Sequence, residues 1–594
     1  MPRLHHVLLA LVLLLATGLR FTGLDWGLRH EPHEDERLFV DAVEQMLVNR
    51  DLDHRFYQYP GLMFYLLAPV LALFDPPPFG PRAFLAARAL IAACGVLAVF
   101  LAWRLGRRLG GESAGLFAAL LLAVSPADVH TAHMLRPDVP LQVLGLLALL
   151  AMGRIGERLR DDARAGFWLG AAFALKFSAV FLGPAYLVVR GLKPGPRLRG
   201  IAVAVLAAGV AFVALSPYAV LHAFEFVAGA RDQVVHHYQG DETPASSLLY
   251  YLGHLGRSLG PPGVALVAFG AFRHRRDPLV LAVLAQLVVT LAVMSTADTR
   301  FLRHLVPAMG GLAVVAGLGY AALSPRLSRF APALALLAAI PPLAVSADYV
   351  HDVARPSTWD RAADWAAGRF PHGASILTNL PLGLDPARFE VVHPSGEIEL
   401  DRLLAREVDL VIWAESPGPR MTSGLDLLFL AEPLGPANGH PLVLAAAPAE
   451  LRPRYQRLDL QAAWLRSSEP GLDLAPLLDG DAASRVRIPA AERPRFVEVA
   501  FPAPQRVARV ELGLGPRGRG RREGVELLLR HPLQGWERAP HVEARPHPTR
   551  QAGDRAASQV LLIAPAEAVG VRVVYRGRRA WAPSSLDVDV VPQP

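Results

Sequence analysis

The chain has a single cysteine, Cys94, and few charges: Asp, Glu, Lys and Arg together make up 19% of its 594 residues. One cysteine excludes an intrachain disulfide framework, and its apolar surroundings suit a small packing residue. The scarcity of charge, with 52% hydrophobic residues and a mean hydropathy of +0.30, excludes an ordinary soluble protein. Internal repeats and long low-complexity tracts are also missing, which removes solenoids and disordered tails. The formal charge of +7 does not indicate nucleic acid, because the arginines of the first half cluster between apolar runs, where topology signals belong.

What is present is uneven. Nearly all long apolar runs lie before residue 350, and the rest reads as water-facing. Runs near 4–23, 83–103, 113–127, 136–153, 165–177, 178–190, 200–219, 258–272, 278–296, 303–322 and 330–349 predict about eleven crossings at roughly 20 residues per span. The first run also has the basic start and small-residue end of a signal peptide; the spans that follow favour an uncleaved first span.

Arginine and lysine decide the orientation. The clusters Arg104/Arg107/Arg108, Arg154/Arg158/Arg160/Arg164, Arg190/Lys193/Arg197/Arg199, Arg273/Arg275/Arg276 and Arg326/Arg329 fall on one side only if 165–190 goes out and back as two short helices. Positive connections mark the cytoplasm, so the N-terminus is expected inside and 24–82, 128–135, 220–257, 297–302 and everything past 350 outside. Lys176 then sits near the outer turn. An ionisable group there is a functional candidate; snorkelling to the interface is the plain alternative.

The stretch HEDERLFVDAVEQML, residues 33–47, places His33, Glu34, Asp35 and Glu36 just beyond the first span. Phe39, Val43, Met46 and Leu47 recur at helical spacing, giving an apolar face suited to the membrane surface. Acids at a helix start are favoured by the dipole, which explains one of them but not three. Residues 53–74 read as a second juxtamembrane or re-entrant element.

HEDERLFVDAVEQMLVNRDL followed by FYQYPGLMFYLL resembles the first outer loop of family 39, ArnT-like glycosyltransferases of the GT-C superfamily. SPADVHTAHMLRPDVPLQVLGLLALL (125–150), AGFWLGAAFALKFSAVFLGPAYLV (165–188), SPYAVLHAFEF (216–226) and RFLRHLVPAMGGLAVVAG (300–317) match further segments in the same order, over about residues 1–350. Where the common family version reads His-Pro-Asp-Glu, this chain has Glu34 in place of proline, so Glu34 shares the acidic candidacy with Asp35 and Glu36.

The resemblance implies inverting transfer of a sugar from a polyprenyl-phosphate carrier to an acceptor at the outer face of the cytoplasmic membrane. The acceptor is left open between a glycolipid, a polysaccharide and a protein. Asp35 matches the general base. A hydroxyl acceptor loses its proton as the new bond forms, so a carboxylate within reach suits that role. A lipid phosphate leaves, and its growing charge calls for cations or a divalent metal. Lys176, Arg300 and Arg303 are the outer-facing candidates. Asp138 opens a span, where helix-start acid is the simpler reading. His33, Glu34 and Asp35 with His236 or His237 are candidates for a metal, although no closed-site spacing is present. Tyr59 and the His236-His237-Tyr238 trio are candidate substrate contacts, or a plain interfacial loop. Competing readings are a transporter or flippase of lipid-linked glycans and a membrane-anchored glycan-binding scaffold. A transporter should place its ionisable groups nearer the midplane and show repeats.

Beyond 350, helix-then-strand rhythm predicts a small α/β domain over 351–450, and Pro, Gly and mixed charge predict a linker over 451–483. Period-two alternation of Val497, Val499 and Phe501, of Val510, Leu512 and Leu514, and of Leu586, Val588 and Val590 predicts a β-sandwich over 484–594, jelly-roll or discoidin-like. Trp536, Trp581, Arg576, Arg578 and Arg579 are candidates for glycan or an anionic surface polymer, against core aromatics and solvated loop charge.

Overall fold

A computed structural model describes residues 2–30, 34–75, 77–238 and 244–370. Beyond these it describes 374–378, 380, 382–385, 387–392, 410–414, 426–431, 442–446, 456–478, 486–489, 494–515, 525–532, 535–539, 541–544, 557–575, 583 and 585–590. The chain divides into two compact units, Met1–Arg355 and Pro356–Pro594.

Among its described residues, the regular elements of the first unit are all helices. Its helices are α1 (Pro2–Phe21), α2 (Glu34–Asn49), α3 (Leu62–Phe74), α4 (Pro81–Ala123), α5 (Pro126–Ala132), α6 (Asp138–Met152), α7 (Leu159–Leu175) and α8 (Gly183–Leu192). There follow α9 (Arg197–Leu215), α10 (Tyr218–Leu221), α11 (Ala223–His237), α12 (Pro244–Arg273), α13 (Pro278–Met294), α14 (Val306–Leu327) and α15 (Ala331–Val353). Among described residues, five helical stretches are long and apolar enough to cross a membrane, and shorter apolar helices accompany them. This is a multi-pass helical membrane protein. Two of the expected runs, 83–103 and 113–127, join in α4 across a kink at Gly110 and Gly111, the latter at φ 79°. α12 likewise bends at Gly260, φ 67°.

The charge argument for a break within 165–190 meets a specific geometry. α7 ends at Leu175, Lys176 is extended (φ −156°, ψ 139°), and a 3-10 turn, Phe177–Leu182, leads into α8.

The amphipathic reading of α2 needs one correction. Phe39, Val43 and Met46 are buried and pack with Met63, Phe64 and Leu67 of α3 and Phe84 and Ala87 of α4. The apolar face of α2 is taken up by protein core, not by the membrane surface. Phe39 lies 5.5 Å from Phe64 and 5.0 Å from Tyr59, ring centre to ring centre. The helix that carries the acids is therefore fixed against two others.

In the second unit, α16 (Thr358–Arg369) is started by a capping box between Ser357 and Asp360. A five-stranded mixed sheet follows, ordered β2-β1-β3-β5-β4: β1 (Ala374–Thr378), β2 (Phe389–Val392), β3 (Leu410–Ala414), β4 (Asp426–Ala431) and β5 (Leu442–Ala446). An antiparallel sheet comprises β6 (Gln456–Arg457), β7 (Leu465–Ser467), β8 (Arg495–Gly515), β9 (Val525–His531), β10 (Gly535–Arg538), β11 (His541–Ala544), β12 (Ala557–Tyr575) and β13 (Ser585–Val590). β8 and β12 pair along most of their length, with register shifts between Leu562 and Ala566 and between Ala568 and Gly570. Val497 and Val499 from one half of β8 share a core with Val510 and Leu512 from the other.

The stretch 451–483, expected as a linker, contributes to this sheet. β6 pairs with β13 and β7 with β8, and Leu474 and Leu477 are buried in the same core. Pro470 and Gly471 form the turn that follows β7. Trp581, Arg576, Arg578 and Arg579 lie outside the described residues.

Candidate active site

Adjacent helical residues point about 100° apart, and the first turn of α2 uses this to give its acids different surroundings. Glu36 is fully buried. It takes two bonds from Arg88 of α4, Nε to Oε1 at 2.9 Å and Nη2 to Oε2 at 2.6 Å, and a third from the Leu135 amide at 2.8 Å. Arg88, also buried, donates to the carbonyls of Leu24 and Trp26 at 2.8 and 2.7 Å. Glu36 thus ties together the segment after α1, α2, α4 and the link ahead of α6. Asp35 faces outward, 40% exposed, in an ion pair with Arg136, which is itself 8% exposed. The side chain of Glu34 and all of His33 lie outside what is described.

Arg136 also leads to the second acid. Two residues on, Asp138 opens α6 and is 1% exposed. Its Oδ1 accepts a 2.6 Å bond from Lys176 Nζ, while its Oδ2 has no partner among described residues. The extended backbone of Lys176 between α7 and the following 3-10 turn presents the ammonium to this carboxylate. Lys176 also feels the charges of Arg303 and Arg136. Arg303, on a 3-10 turn (Leu302–Leu305), stands over the Phe301 ring at 3.9 Å and interacts with Arg136, Asp138, Tyr59 and Asp35. Tyr59 closes the group. Burial, with Asp138 next in weight, pushes its phenol up to about 12, and it senses Arg303, Asp35 and Arg136.

Four regions of sequence are thereby brought together: Asp35 and Tyr59 from the stretch between α1 and α3, Arg136 and Asp138, Lys176, and Arg303. Three cations face two carboxylates and a neutral phenol. The surplus positive charge suits an anion, and the partly exposed carboxylate beside it suits a proton acceptor.

The other candidates divide. His304 Nδ1 lies 2.9 Å from the Tyr251 hydroxyl, and its ring lies 5.3 Å from that of His237. His237 Nδ1 is 3.2 Å from Thr299 Oγ1, and its carbonyl accepts from the Asp298 amide at 2.9 Å. Tyr238 turns to Thr296, hydroxyl to hydroxyl at 3.1 Å, and the His236 side chain is not described. Arg300 reaches α12, with Nη1 3.3 Å from Ser246 Oγ and the guanidinium 5.1 Å over Tyr250. Arg300 and Arg303 thus point to different partners. Among the described residues, no three His, Cys, Asp or Glu side chains meet in an arrangement that holds a metal.

α11 lies against the stretch between α2 and α3. His222, at its start, and Gln233 meet that stretch, at Asp53 (3.4 Å) and Gln58 (3.4 Å). Between them, Gly229 comes so close that a Cβ there would lie 2.5 Å from the Tyr57 carbonyl oxygen. Only glycine allows this approach.

Sequence reasoning missed Arg136, His304 and Tyr251. A basic residue two positions before Asp138, in a short link between spans, was the available signal for Arg136.

Residues 59–221 match the family described as dolichyl-phosphate-mannose-protein mannosyltransferase. No curated protein matches the chain. Among solved structures, ArnT from Cupriavidus metallidurans bound to undecaprenyl phosphate is similar at 16% identity and TM-score 0.49, covering 74% of this chain and 98% of that one. AglB from Archaeoglobus fulgidus, in complex with an inhibitory peptide and a dolichol-phosphate, is similar at 13% identity and TM-score 0.43, covering 77% and 80%. The arabinofuranosyltransferase AftD from Mycobacteria is similar at 13% identity and TM-score 0.40, covering 99% and 59%. The family match lies inside a helical membrane domain that carries the sequence segments of the GT-C resemblance. That match and its place in a helical membrane domain support a membrane glycosyltransferase.

Proposed function

We propose that the protein is an inverting glycosyltransferase of the cytoplasmic membrane, moving a sugar from a polyprenyl-phosphate donor to a hydroxyl acceptor on the outer face, with Asp35 as general base. One observation carries this reading: the half-exposed carboxylate of Asp35 adjoins a cluster in which Arg136, Lys176 and Arg303 outnumber the acids.

The chemistry follows from the positions. The acceptor oxygen attacks the anomeric carbon while the bond from that carbon to the phosphate oxygen breaks. The electron pair leaves on the polyprenyl phosphate, and the acceptor proton passes to Asp35. Arg303 and Lys176 stabilise the charge growing on the phosphate. Asp138 holds Lys176 in place and keeps the cluster from excessive positive charge. Arg136 holds Asp35 by an ion pair that orients the carboxylate. Glu36 acts on α2 and its neighbours through Arg88, as a positioning residue. The 59–221 family match, to enzymes named for a dolichyl-phosphate sugar, supports a lipid phosphate as leaving group. The charge bias of the connections supports an outer position for the second unit.

The test is sugar transfer by the purified protein in nanodiscs, offered a panel of polyprenyl-phosphate sugars. Consumption of one donor, with release of polyprenyl phosphate and loss of at least about a hundredfold in rate in Asp35→Asn, is expected. Equal rates in wild type and Asp35→Asn would remove Asp35 from the role of base.

A further inference from the structure

In a strand, alternate side chains face opposite ways, and residues directly opposite in neighbouring strands share a face. Val497, Val499, Leu527, Leu529, Val571 and Val573 fill the core of the antiparallel sheet. The intervening residues make up its other face. There Glu498 lies opposite Arg572, Arg572 opposite Leu528, and Leu528 opposite Arg538. In the next row Gly570 lies opposite Arg530, and Arg530 opposite Trp536 of the edge strand β10.

This face is built around Trp536. Its indole reaches across β9 to β12, where a Cβ on Gly570 would lie 3.5 Å from the ring edge. The Arg572 guanidinium sits 4.2 Å from the indole centre and 4.4 Å from that of Phe496. Glu498 fixes that guanidinium with bonds of 2.9 and 2.5 Å. The missing side chain at 570 and the pinned arginine give the tryptophan a flat, rigid seat on the sheet, and the ring remains partly exposed. A rigid indole presents a large contact area at little cost in conformational entropy.

The charge around it has one sign in excess. Arg530 is exposed directly beside Trp536 in the ladder. Arg538 is 73% exposed and pairs with Glu526 at 3.1 Å. Arg466 is exposed opposite Glu498. Four arginines thus meet two glutamates, and each glutamate already has a partner. Guanidinium groups match carboxylates with two parallel bonds. A ring for the apolar face of a sugar, flanked by guanidinium groups for its carboxylates, fits one class of ligand.

We infer that this face of the β8–β9–β10–β12 sheet binds an acidic polysaccharide, stacking a sugar ring on Trp536 and pairing its carboxylates with Arg530 and Arg538. The site belongs to the second unit, whereas the transfer chemistry is assigned to the first. It gives the enzyme a hold on an anionic glycan whether that glycan is acceptor, product or surrounding matrix.

The test uses the full chain in detergent, with polygalacturonate immobilised on a sensor surface at physiological ionic strength. Dextran serves as the neutral glycan and double-stranded DNA as the non-sugar polyanion. Polygalacturonate should be retained in preference to both. Trp536→Ala and Arg530→Ala should each weaken retention by about tenfold or more, as for central aromatic and arginine anchors. Trp536→Phe, which keeps a ring on the sheet, should retain most of it and melt like wild type. The inference is overturned if polygalacturonate is not held, if dextran is held equally, if DNA is held as tightly, or if neither alanine variant weakens retention.

Discussion

Lys176 and Asp138 form a buried ion pair in the candidate site, Nζ to Oδ1 at 2.6 Å, between the broken end of α7 and the first residue of α6. Both groups are largely removed from water, at 13% and 1% exposure. Removing one partner breaks a buried pair, which typically costs about 3–5 kcal/mol, whereas removing both costs far less. Lys176→Met should therefore melt well below wild type. The double variant Lys176→Met/Asp138→Asn should recover most of that loss, and neither should transfer sugar. Thermal melting in detergent, followed by tryptophan fluorescence, checks the first statement and the donor assay the second.

Asp35 and Glu36 are neighbours with different surroundings, one half-exposed and one fully buried. Asp35→Asn removes a half-exposed carboxylate, so its effect on melting should stay small while the rate falls by at least about a hundredfold. Glu36→Gln leaves Arg88 buried without its charged partner. Here stability should drop sharply, by an order of about 3 kcal/mol, while the folded fraction keeps more activity than Asp35→Asn. Comparing melting temperature with rate per folded molecule separates the two. If Glu36→Gln melts normally and is inactive, the roles assigned to the two acids are reversed.

The adjacency of these two residues also shows what a sequence can carry. Runs of apolar residues and the bias of arginine and lysine gave a helical membrane domain, because both signals are local. The resemblance pointed to Asp35, Tyr59, Asp138, Lys176 and Arg303, which the fold brings together from distant segments. What decides between Asp35 and Glu36 is a partner at position 88, and nothing in the first loop reveals it. Arg136 and His304 were overlooked for the same reason: each acquires meaning only through a neighbour far along the chain. The strands between 456 and 467 were hidden by their brevity. Each is too short for alternation to register, and pairing with β13 and β8 completes them.

The close approach of α11 to the first loop sets a third expectation. A methyl group at 229 would lie 2.5 Å from the Tyr57 carbonyl oxygen, so Gly229→Ala must push the helix away. Overpacking of this kind costs about 1–3 kcal/mol. It should also shift His237 relative to His304, lowering both melting temperature and transfer rate. Gly183→Ala is the control, since nothing lies within 4 Å of a Cβ there. Equal behaviour of the two variants would show that α11 accommodates the change.

Acid should weaken the fold through a residue of the first loop. His54 is buried, stacked 4.3 Å from Phe64, and accepts the Phe56 amide on Nδ1. Burial pushes its pKa down from 6.5 to about 4. Between those values the unfolded chain binds a proton that the folded protein excludes, so stability rises with pH through the window and levels off above it. Across the full window the loss amounts to about 3 kcal/mol. His130, lowered to about 4 by burial, adds to it, while Asp128, raised to about 6 by burial, tilts the other way. Melting curves at pH 7 and pH 4.5 should show a smaller drop for His54→Phe than for wild type. An equal drop would mean that His54 takes up its proton within the fold.

Arg303 and Arg300 test the assignment of the phosphate site, because they are three residues apart and point to different partners. Arg303 stands among Asp35, Tyr59, Arg136 and Asp138, whereas Arg300 leans on Ser246 and Tyr250 of α12. A charge-assisted bond to a phosphate contributes roughly 1.5–3 kcal/mol, which corresponds to about a tenfold to hundredfold change in rate. Arg303→Gln should lower kcat/KM for the donor by that factor. If its contacts form mainly as the phosphate leaves, kcat should fall in step with kcat/KM, because an interaction made only in the transition state affects both equally. Arg300→Gln should change kcat/KM far less, its effect being confined to the packing of the link against α12. A larger loss in Arg300→Gln than in Arg303→Gln would move the phosphate toward α12 and away from Lys176.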